Sequence, residues 1–219
     1  MFKAIARLLS PDRCVLCNTE GTGVCLDCRE FALSERTSSC YVCNAVTPEG
    51  RICSRCQWRT PVRRCHVLWR LDTPGETLVY GLKYDGREDI ARSVARVLQQ
   101  QNLPYFDLIT FVPDTAARQR ERGFVPAQLI ARELSRVSGK PYIELLDRIE
   151  HTPQVGAGRT QRWQQVRGNF RAKHTELAYD KRILLIDDVV TTGATITECA
   201  KTLKSAGTGP IYVAALAKK

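Results

Sequence analysis

Two adjacent carboxylates and a run of small hydroxyl residues are the groups in this sequence best suited to chemistry. Asp187 and Asp188 follow the apolar run Ile183 to Ile186, which is typical of a strand buried on both faces of a parallel sheet. A small-residue turn comes next and leads into a helical pattern; its residues are Val189, Thr191, Thr192, Gly193, Ala194 and Thr195. This order predicts a turn at the carboxyl end of a strand, where open α/β sheets hold ligands.

These residue types predict a site for a phosphorylated sugar. A small-residue turn that opens a helix presents backbone N–H groups, hydroxyl donors and the positive end of the helix dipole, which together bind phosphate. The two carboxylates upstream could accept hydrogen bonds from a diol or hold a divalent cation. Acid pairs also follow strands in Walker B segments, but the sequence has no G-x-x-x-x-G-K-[ST] loop to accompany one. A receiver domain would not need the turn.

The segment from Arg182 to Thr195 resembles the phosphoribosyl pyrophosphate (PRPP) loop of type I phosphoribosyltransferases. The resemblance implies that Asp187 and Asp188 are the catalytic residues and contact the ribose hydroxyls. It also implies that the turn from Val189 to Thr195 wraps the 5-phosphate of PRPP or of another phosphorylated ribose.

Eight of the ten cysteines fall into four Cys-x-x-Cys pairs. In a reducing compartment such pairs indicate metal ligands rather than disulfides. The spacing suits two structural, tetrahedral zinc ions, and the predicted ligands are Cys14, Cys17, Cys25, Cys28, Cys40, Cys43, Cys53 and Cys56. Sequential pairing gives one zinc per repeat, while an interleaved pairing remains open. Cys65 and Cys199 have no such partners, and Cys199 is expected to be a packing residue on a helix.

Length and charge place limits on the class of protein. The 219 residues allow one medium domain and a small one, and the formal net charge is +10. The chain stays basic after the thiolates of two zinc sites are counted, which suits phosphate-rich partners. No apolar run approaches the roughly 20 residues that a membrane span needs. The first residues are too short and too charged for a secretory signal, so we expect a cytoplasmic protein.

A polar, basic stretch from Gln57 to Arg64 predicts the domain boundary. We expect a double zinc ribbon over residues 1–63 and a phosphoribosyltransferase-like domain over residues 64–219. In the second part, apolar strands alternate with amphipathic helices, which predicts an α/β domain with a mostly parallel sheet.

A basic loop is predicted after the strand Asp107 to Val112, at the position where a pyrophosphate would lie. It carries Arg118 and Arg122, and we assign Lys83, in a basic turn earlier in the chain, to the same side. By itself, such a charge run would more often be a solvated surface.

The stretch from Arg148 to Lys173 has almost no apolar periodicity, and it holds six basic residues against the single acid Glu150. Such a segment could close over a phosphorylated ligand, or it could stack on and neutralise single-stranded nucleic acid. The predicted nucleic-acid contacts are Arg159, Arg162, Trp163 and Arg167. A solvated loop that contacts neither ligand is the alternative.

Nearly the whole chain resembles the ComF family of competence proteins. The resemblance rests on the eight paired cysteines and on the motifs L-K-Y-D-G-R, V-P-x-x-x-x-R-x-x-x-R-G-F, H-T-P-Q and I-D-D-V-V-T-T-G-A-T. The chain departs from the family pattern at Val125-Pro126, where the family has Asn-Gln, and at Asp114, where an apolar residue is common. Both departures flank the basic loop that is expected to bind the pyrophosphate.

The family resemblance implies a protein of natural transformation. It would handle incoming single-stranded DNA at the inner face of the membrane, with a ComFA-type helicase and a recombination mediator as partners. An active phosphoribosyltransferase, similar to amidophosphoribosyltransferases and using PRPP with Mg²⁺, is one alternative. A PRPP-sensing module without catalysis is another. We favour DNA handling, because no acceptor pocket and no glutamine-hydrolysing domain can be recognised, and we leave open whether the protein is an enzyme.

Overall fold

The computed structural model describes residues 13–34, 38–149, 163 and 166–219. Its helices are α1 (Leu26–Ser34), α2 (Thr73–Lys83), α3 (Glu88–Gln100), α4 (Ala116–Arg122), α5 (Pro126–Ser138), α6 (Thr175–Ala178) and α7 (Ala194–Ser205). Its strands are β1 (Val62–Arg70), β2 (Leu108–Phe111), β3 (Leu146–Arg148), β4 (Phe170–Ala172), β5 (Ile183–Val190) and β6 (Ile211–Lys218). Among these residues, no helix combines the length and the hydropathy that a bilayer crossing requires.

Four strands form a parallel sheet in the order β1–β6–β5–β2. Ile183 pairs with Ile211 on one side and with Leu108 on the other, so β5 lies inside the sheet. Strands β3 and β4 form a separate antiparallel pair. Because the four strands are parallel, their carboxyl ends meet at one edge, and this edge receives the carboxylates of β5. The predicted α/β class with a parallel sheet is confirmed.

Alternate residues of β5 serve two different cores. Leu184 and Ile186 face the first core, in which they pack with apolar residues of α3 and α5. Ile183 and Leu185 face the second core, in which they pack with apolar residues of α7. A strand buried on both faces needs a continuous apolar run, and this explains the pattern seen in the sequence.

The two cysteine-rich segments pack on opposite faces of the sheet. The first ribbon (residues 13–34) contributes Val24 to the first core, and the second ribbon (residues 38–60) contributes Tyr41 and Ile52 to the second core. The second ribbon also continues into the edge strand β1, which begins at Val62. Each ribbon therefore shares apolar contacts with the sheet domain.

Two local predictions need correction. Strand β5 does not end before the carboxylates but continues to Val190, because Asp187 and Val189 still pair with Ala215 and Ala217 of β6. The predicted basic loop after β2 is largely the helix α4. Its start is capped by Thr115, whose side-chain oxygen accepts a hydrogen bond from the N–H of Arg118 at 3.3 Å.

Candidate functional site

A cavity of about 440 Å³ opens at the carboxyl edge of the sheet. Most of the residues predicted for ribose, 5-phosphate and pyrophosphate line it, namely Asp187, Asp188, Val189, Thr191, Thr192, Ala194, Thr195, Lys83, Arg118 and Arg122. Strand β5 supplies the acids, the start of α7 supplies the turn, and the end of α2 supplies Lys83. Of the predicted phosphate-binding residues, Gly193 alone is not among those lining the cavity, and its backbone lies on the other side of the turn, against Tyr41.

The two carboxylates differ in their surroundings: Asp187 is buried, whereas Asp188 pairs with a lysine. Asp187 is only 8% exposed, and its Oδ1 accepts a hydrogen bond from the N–H of Asp188 at 2.9 Å. Burial, together with the nearby charge of Asp188, raises the pKa of Asp187 well above its ordinary 3.8. Asp188 forms an ion pair with Lys83, with 2.8 Å between Oδ2 and Nζ. In the free protein, Asp187 thus holds its proton to a higher pH than an exposed aspartate.

The turn before α7 has the geometry of a phosphate cradle. Gly193 takes a left-handed conformation with φ of 74°, and its carbonyl accepts the first helical hydrogen bond, from the N–H of Thr197 at 2.9 Å. The N–H groups ahead of that bond have no acceptor inside the helix. Together with the hydroxyls of Thr191, Thr192 and Thr195, these groups can bind an anion at the positive end of the helix dipole.

The second ribbon supports this turn from behind through Tyr41. The ring of Tyr41 lies against Gly193 so closely that a Cβ there would be 2.6 Å from Cδ2 of the ring. The hydroxyl of Tyr41 donates to Oγ1 of Thr60 at 2.6 Å and is hydrogen bonded to Oγ1 of Thr197 at 2.7 Å. Tyr41 is 1% exposed, so the contact is fully buried. This contact could not be predicted from the sequence, because Tyr41 and Thr197 lie 156 residues apart along the chain.

The predicted pyrophosphate side is partly neutralised by Asp114. Its carboxylate lies 3.0 Å from Nη1 of Arg122 and 3.5 Å from Nη1 of Arg118. The cavity holds four cationic side chains against three carboxylates, with Arg148 as the fourth cation. Nε of Arg122 is nevertheless buried, without a hydrogen-bond acceptor among the described residues.

Arg148 is a cavity residue that the sequence did not single out. It ends β3, lines the cavity, and places its guanidinium 5.4 Å from the ring centre of Phe170. Burial lowers its pKa from the ordinary value. In the sequence it was visible only as the first of six basic residues in an irregular stretch.

The predicted nucleic-acid segment is described only in part. Arg159 and Arg162 lie outside the described residues. Trp163 is half-buried and packs against the second core, whereas Arg167 is exposed. Val166, in the same segment, lines the cavity. The described end of the segment thus touches both the cavity and the core.

Two groups of four cysteines could each hold a metal ion. Cys14, Cys17, Cys25 and Cys28 form one group, and Cys40, Cys43, Cys53 and Cys56 form the other, with all sulfurs of a group within 4.8 Å of one another. Metal–sulfur bonds of about 2.3 Å in a tetrahedron require sulfurs about 3.8 Å apart, so these residues fit a metal. The pairing along the chain is sequential, which excludes the interleaved alternative.

The two remaining cysteines belong to the core. Cys65 and Cys199 are buried, and burial raises the pKa of Cys65 to about 12. Cys199 also has a raised pKa because it is buried. Both side chains therefore remain neutral thiols, and the predicted packing role of Cys199 agrees with its place in the second core.

Curated relatives match almost the full length of the chain. The DNA utilization protein YhgH of Salmonella typhi is 28% identical over 222 residues, covering 94% of this chain and 96% of its own. Competence protein F of Haemophilus influenzae is 28% identical over 226 residues with the same coverage of both chains. Competence protein ComFC of Bacillus subtilis is 28% identical over 200 residues, covering 84% of this chain and 79% of its own.

The family model of the phosphoribosyl transferase domain matches residues 120–219, which contain the carboxylates and the phosphate turn. The chain is thus similar over nearly its full length to proteins named for competence and DNA utilization, and its C-terminal part to the phosphoribosyl transferase domain. The two cysteine groups lie before the part that this family model matches.

Solved phosphoribosyltransferase structures resemble this chain more distantly. The PRPP amidotransferase from B. subtilis is 19% identical and matches 63% of this chain with a TM-score of 0.44. The chain spans less than a third of that structure, since the match covers 30% of it.

Proposed function

We propose that this protein is a member of the ComF family, that it handles incoming single-stranded DNA during natural transformation, and that it binds a phosphorylated ribose in its cavity. The observation that carries the DNA part is the match over 94% of the chain to proteins named for competence and for DNA utilization. By the same relationship, we propose a cytoplasmic location at the inner face of the membrane, with a ComFA-type helicase and a recombination mediator as partners.

The cavity supports PRPP or a related ribose 5-phosphate as its ligand. The phosphate turn before α7 would hold the 5-phosphate, and the carboxylates of Asp187 and Asp188 would accept hydrogen bonds from the ribose hydroxyls. We propose that Mg²⁺ accompanies PRPP, because carboxylates and phosphate oxygens are the ligands that this ion prefers. Lys83, Arg122 and Arg148 would contact the remaining charge of the ligand.

The charge balance favours binding over transfer. A transferase must stabilise a departing pyrophosphate with Mg²⁺ and with free cationic side chains. Here Asp114 already pairs with both Arg118 and Arg122. An active phosphoribosyltransferase is the less favoured alternative, and the observation in its favour is that Lys83, Arg122 and Arg148 line the cavity beside the two carboxylates.

Changing Asp114→Asn should therefore tighten the binding of PRPP with Mg²⁺ by roughly fivefold, the effect of freeing two arginines from one carboxylate. Asparagine keeps an acceptor for the N–H of Thr115, which now donates to Oδ1 of Asp114 at 2.9 Å, so the start of α4 should be preserved. Isothermal calorimetry measures the change, and ribose 5-phosphate, which lacks the pyrophosphate, is the control ligand. Equal tightening for both ligands would mean that the arginines do not face the pyrophosphate.

We propose that the metal in both cysteine groups is zinc, because four thiolates in a tetrahedron are its usual structural site. Protein purified without a chelator should contain about two zinc ions per chain by elemental analysis. Cys53→Ser should lose the zinc of the second group and keep that of the first. Cys65→Ser, which changes a buried thiol outside both groups, should keep both ions. A metal-free wild type that remains folded would contradict the assignment.

DNA binding can be tested with a fluorescent oligo-dT strand. The logarithm of the affinity should fall linearly with the logarithm of the salt concentration, with a slope of about −0.7 per phosphate contacted. The variants Arg159→Ala, Arg162→Ala and Arg167→Ala should each make that slope shallower by about 0.7 if the basic segment contacts phosphates. The duplex of the same length is the control, and it should bind more weakly. Absence of measurable binding at low salt would contradict the proposed function.

A further inference from the structure

An exposed tryptophan on the second ribbon has no role in the site described so far. Trp58 is 77% exposed, and it lies in a stretch of the chain, residues 51–64, that contains five arginines and no acid. Trp163, the ring predicted to stack on nucleic acid, is half-buried against the core instead. Large, fully presented rings are uncommon on soluble surfaces and indicate a binding role when charges of one sign surround them.

The metal group holds Trp58 on a rigid turn. The N–H of Cys56 donates to the carbonyl of Cys53 at 2.9 Å, and the N–H of Arg59 donates to the carbonyl of Cys56 at 2.9 Å. Trp58 is thus enclosed in a turn anchored by two metal-ligating residues. The guanidinium of Arg59 lies 4.9 Å from the centre of the Trp58 ring, which leaves the other face of the ring open. A ring fixed in this way loses little conformational entropy when a ligand stacks on it.

The arginines around this ring divide into two kinds. Arg64 and Arg51 pair with Glu49, at 2.8 Å and 4.0 Å. Arg55, Arg59 and Arg63 are exposed, and among the described residues none of them is within ion-pair distance of a carboxylate. Part of this positive charge offsets the negative charge of a metal bound by four thiolates. Compensation of the thiolate charge explains part of the arginine charge, but it does not explain an exposed tryptophan in the same turn.

We propose that the surface formed by Arg55, Trp58, Arg59 and Arg63, the Trp58 face, is a stacking site for single-stranded DNA. One base stacks on the open face of the Trp58 ring, and the arginines contact the phosphates on either side of it. A duplex hides the faces of its bases, so the Trp58 face selects single strands. This inference rests on the proposed DNA function and adds the part of the molecule that performs it.

The test compares oligo-dT affinities by fluorescence anisotropy in the full chain. Trp58→Ala should weaken binding by about tenfold without a change in the salt slope, and Trp58→Phe, which keeps a ring, should restore most of the affinity. Tyr179→Ala removes a ring that is 71% exposed elsewhere on the surface, and it should have no effect. Zinc content, measured on each variant, verifies that the ribbon is intact.

The arginines have a charge-matched control. Arg55→Ala with Arg59→Ala should make the salt slope shallower by about 1.4, two contacts at about 0.7 each. Arg96→Ala with Arg136→Ala removes the same charge from exposed positions on α3 and α5 and should leave the slope unchanged. Competition with poly-glutamate, which has charge but no rings to stack, distinguishes stacking from simple attraction of anions.

The outcomes distinguish failure of the Trp58 face from failure of the proposed DNA-binding function. A wild type that binds no DNA overturns both. A wild type that binds DNA, with Trp58→Ala within twofold of it, overturns only the Trp58 face. If the arginine pair weakens oligo-dT and poly-glutamate alike while Trp58→Ala changes neither, the surface is a docking site for an acidic protein and the stacking proposal is wrong.

Discussion

Changing Asp187→Asn together with Asp188→Asn is expected to weaken the binding of ribose 5-phosphate with Mg²⁺ by about a hundredfold, since two hydrogen bonds to charged acceptors are lost at about 1.5 kcal/mol each. Both side chains line the cavity beside the phosphate turn, so they are placed to accept from the ribose hydroxyls. Calorimetric titration in the presence of Mg²⁺ measures the loss. Asp72→Asn with Asp147→Asn removes the same charge from positions that do not line the cavity, and it should leave the affinity unchanged. Equal affinities in the two double variants would show that the cavity acids serve another purpose.

The single change Asp187→Asn should also make the free protein more stable at neutral pH. The folded-state pKa of Asp187 is raised above its ordinary 3.8, so the folded chain retains a proton that the unfolded chain has released. The contribution of this group to the free energy of unfolding therefore falls as the pH rises from about 4 through the folded-state pKa. Urea unfolding over a series of pH values should show the variant and the wild type close together at about pH 4 and the variant more stable at neutral pH. A difference that is independent of pH would contradict this explanation.

Removing the Tyr41 ring is the second change with a large expected effect. Tyr41→Ala should lower the free energy of unfolding by about 3–5 kcal/mol, because a large buried side chain leaves a cavity. It should also weaken ribose 5-phosphate binding by about tenfold, the cost of roughly 1.4 kcal/mol when the turn at Gly193 loses the surface behind it. Urea unfolding and calorimetry measure the two effects.

Two further variants distinguish support of the turn from general stability. Ile52→Ala removes another buried side chain of the second ribbon, which packs in the same core, and it should destabilise the protein without a change in ligand affinity. Tyr41→Phe keeps the ring beside Gly193 and loses only the hydroxyl bonded to Thr60 and Thr197, so it should keep most of the affinity. If Tyr41→Ala and Ile52→Ala affect the ligand equally, the ring has no specific role in the turn.

The sequence predicted the features that depend on neighbouring residues. Three of these are local patterns, in which residue type and spacing determine the structure: the strand before Asp187, the turn through Gly193 and the two groups of four cysteines. The helix α4 was missed, although the cap at Thr115 is a recognisable signal, because the density of charge suggested a solvated loop. The extension of β5 to Val190 could not be predicted from its own residues, since it depends on pairing with β6.

The features that could not be predicted depend on contacts between distant parts of the chain. Tyr41 meets Gly193 and Thr197 only because the second ribbon packs on the face of the sheet that carries α7. Arg148 reaches the cavity because β3 pairs with β4, and its own sequence context is irregular. The pairing of Asp114 with Arg118 and Arg122 also changes the charge of the cavity, and the sequence did not predict this pairing.

The two outer strands of the sheet, β1 and β2, affect how readily the protein self-associates. Each outer strand is met by another part of the same chain: Arg51 bridges to Arg64 beside β1, and Ile109 of β2 bonds to the carbonyl of Pro141 at 2.9 Å. An unprotected outer strand offers its backbone to other molecules and promotes aggregation. The segment that bridges to β1 belongs to the second ribbon, which also carries the second group of four cysteines. If the second cysteine group holds a metal ion, loss of that ion is expected to uncover β1 and to favour self-association of the chain.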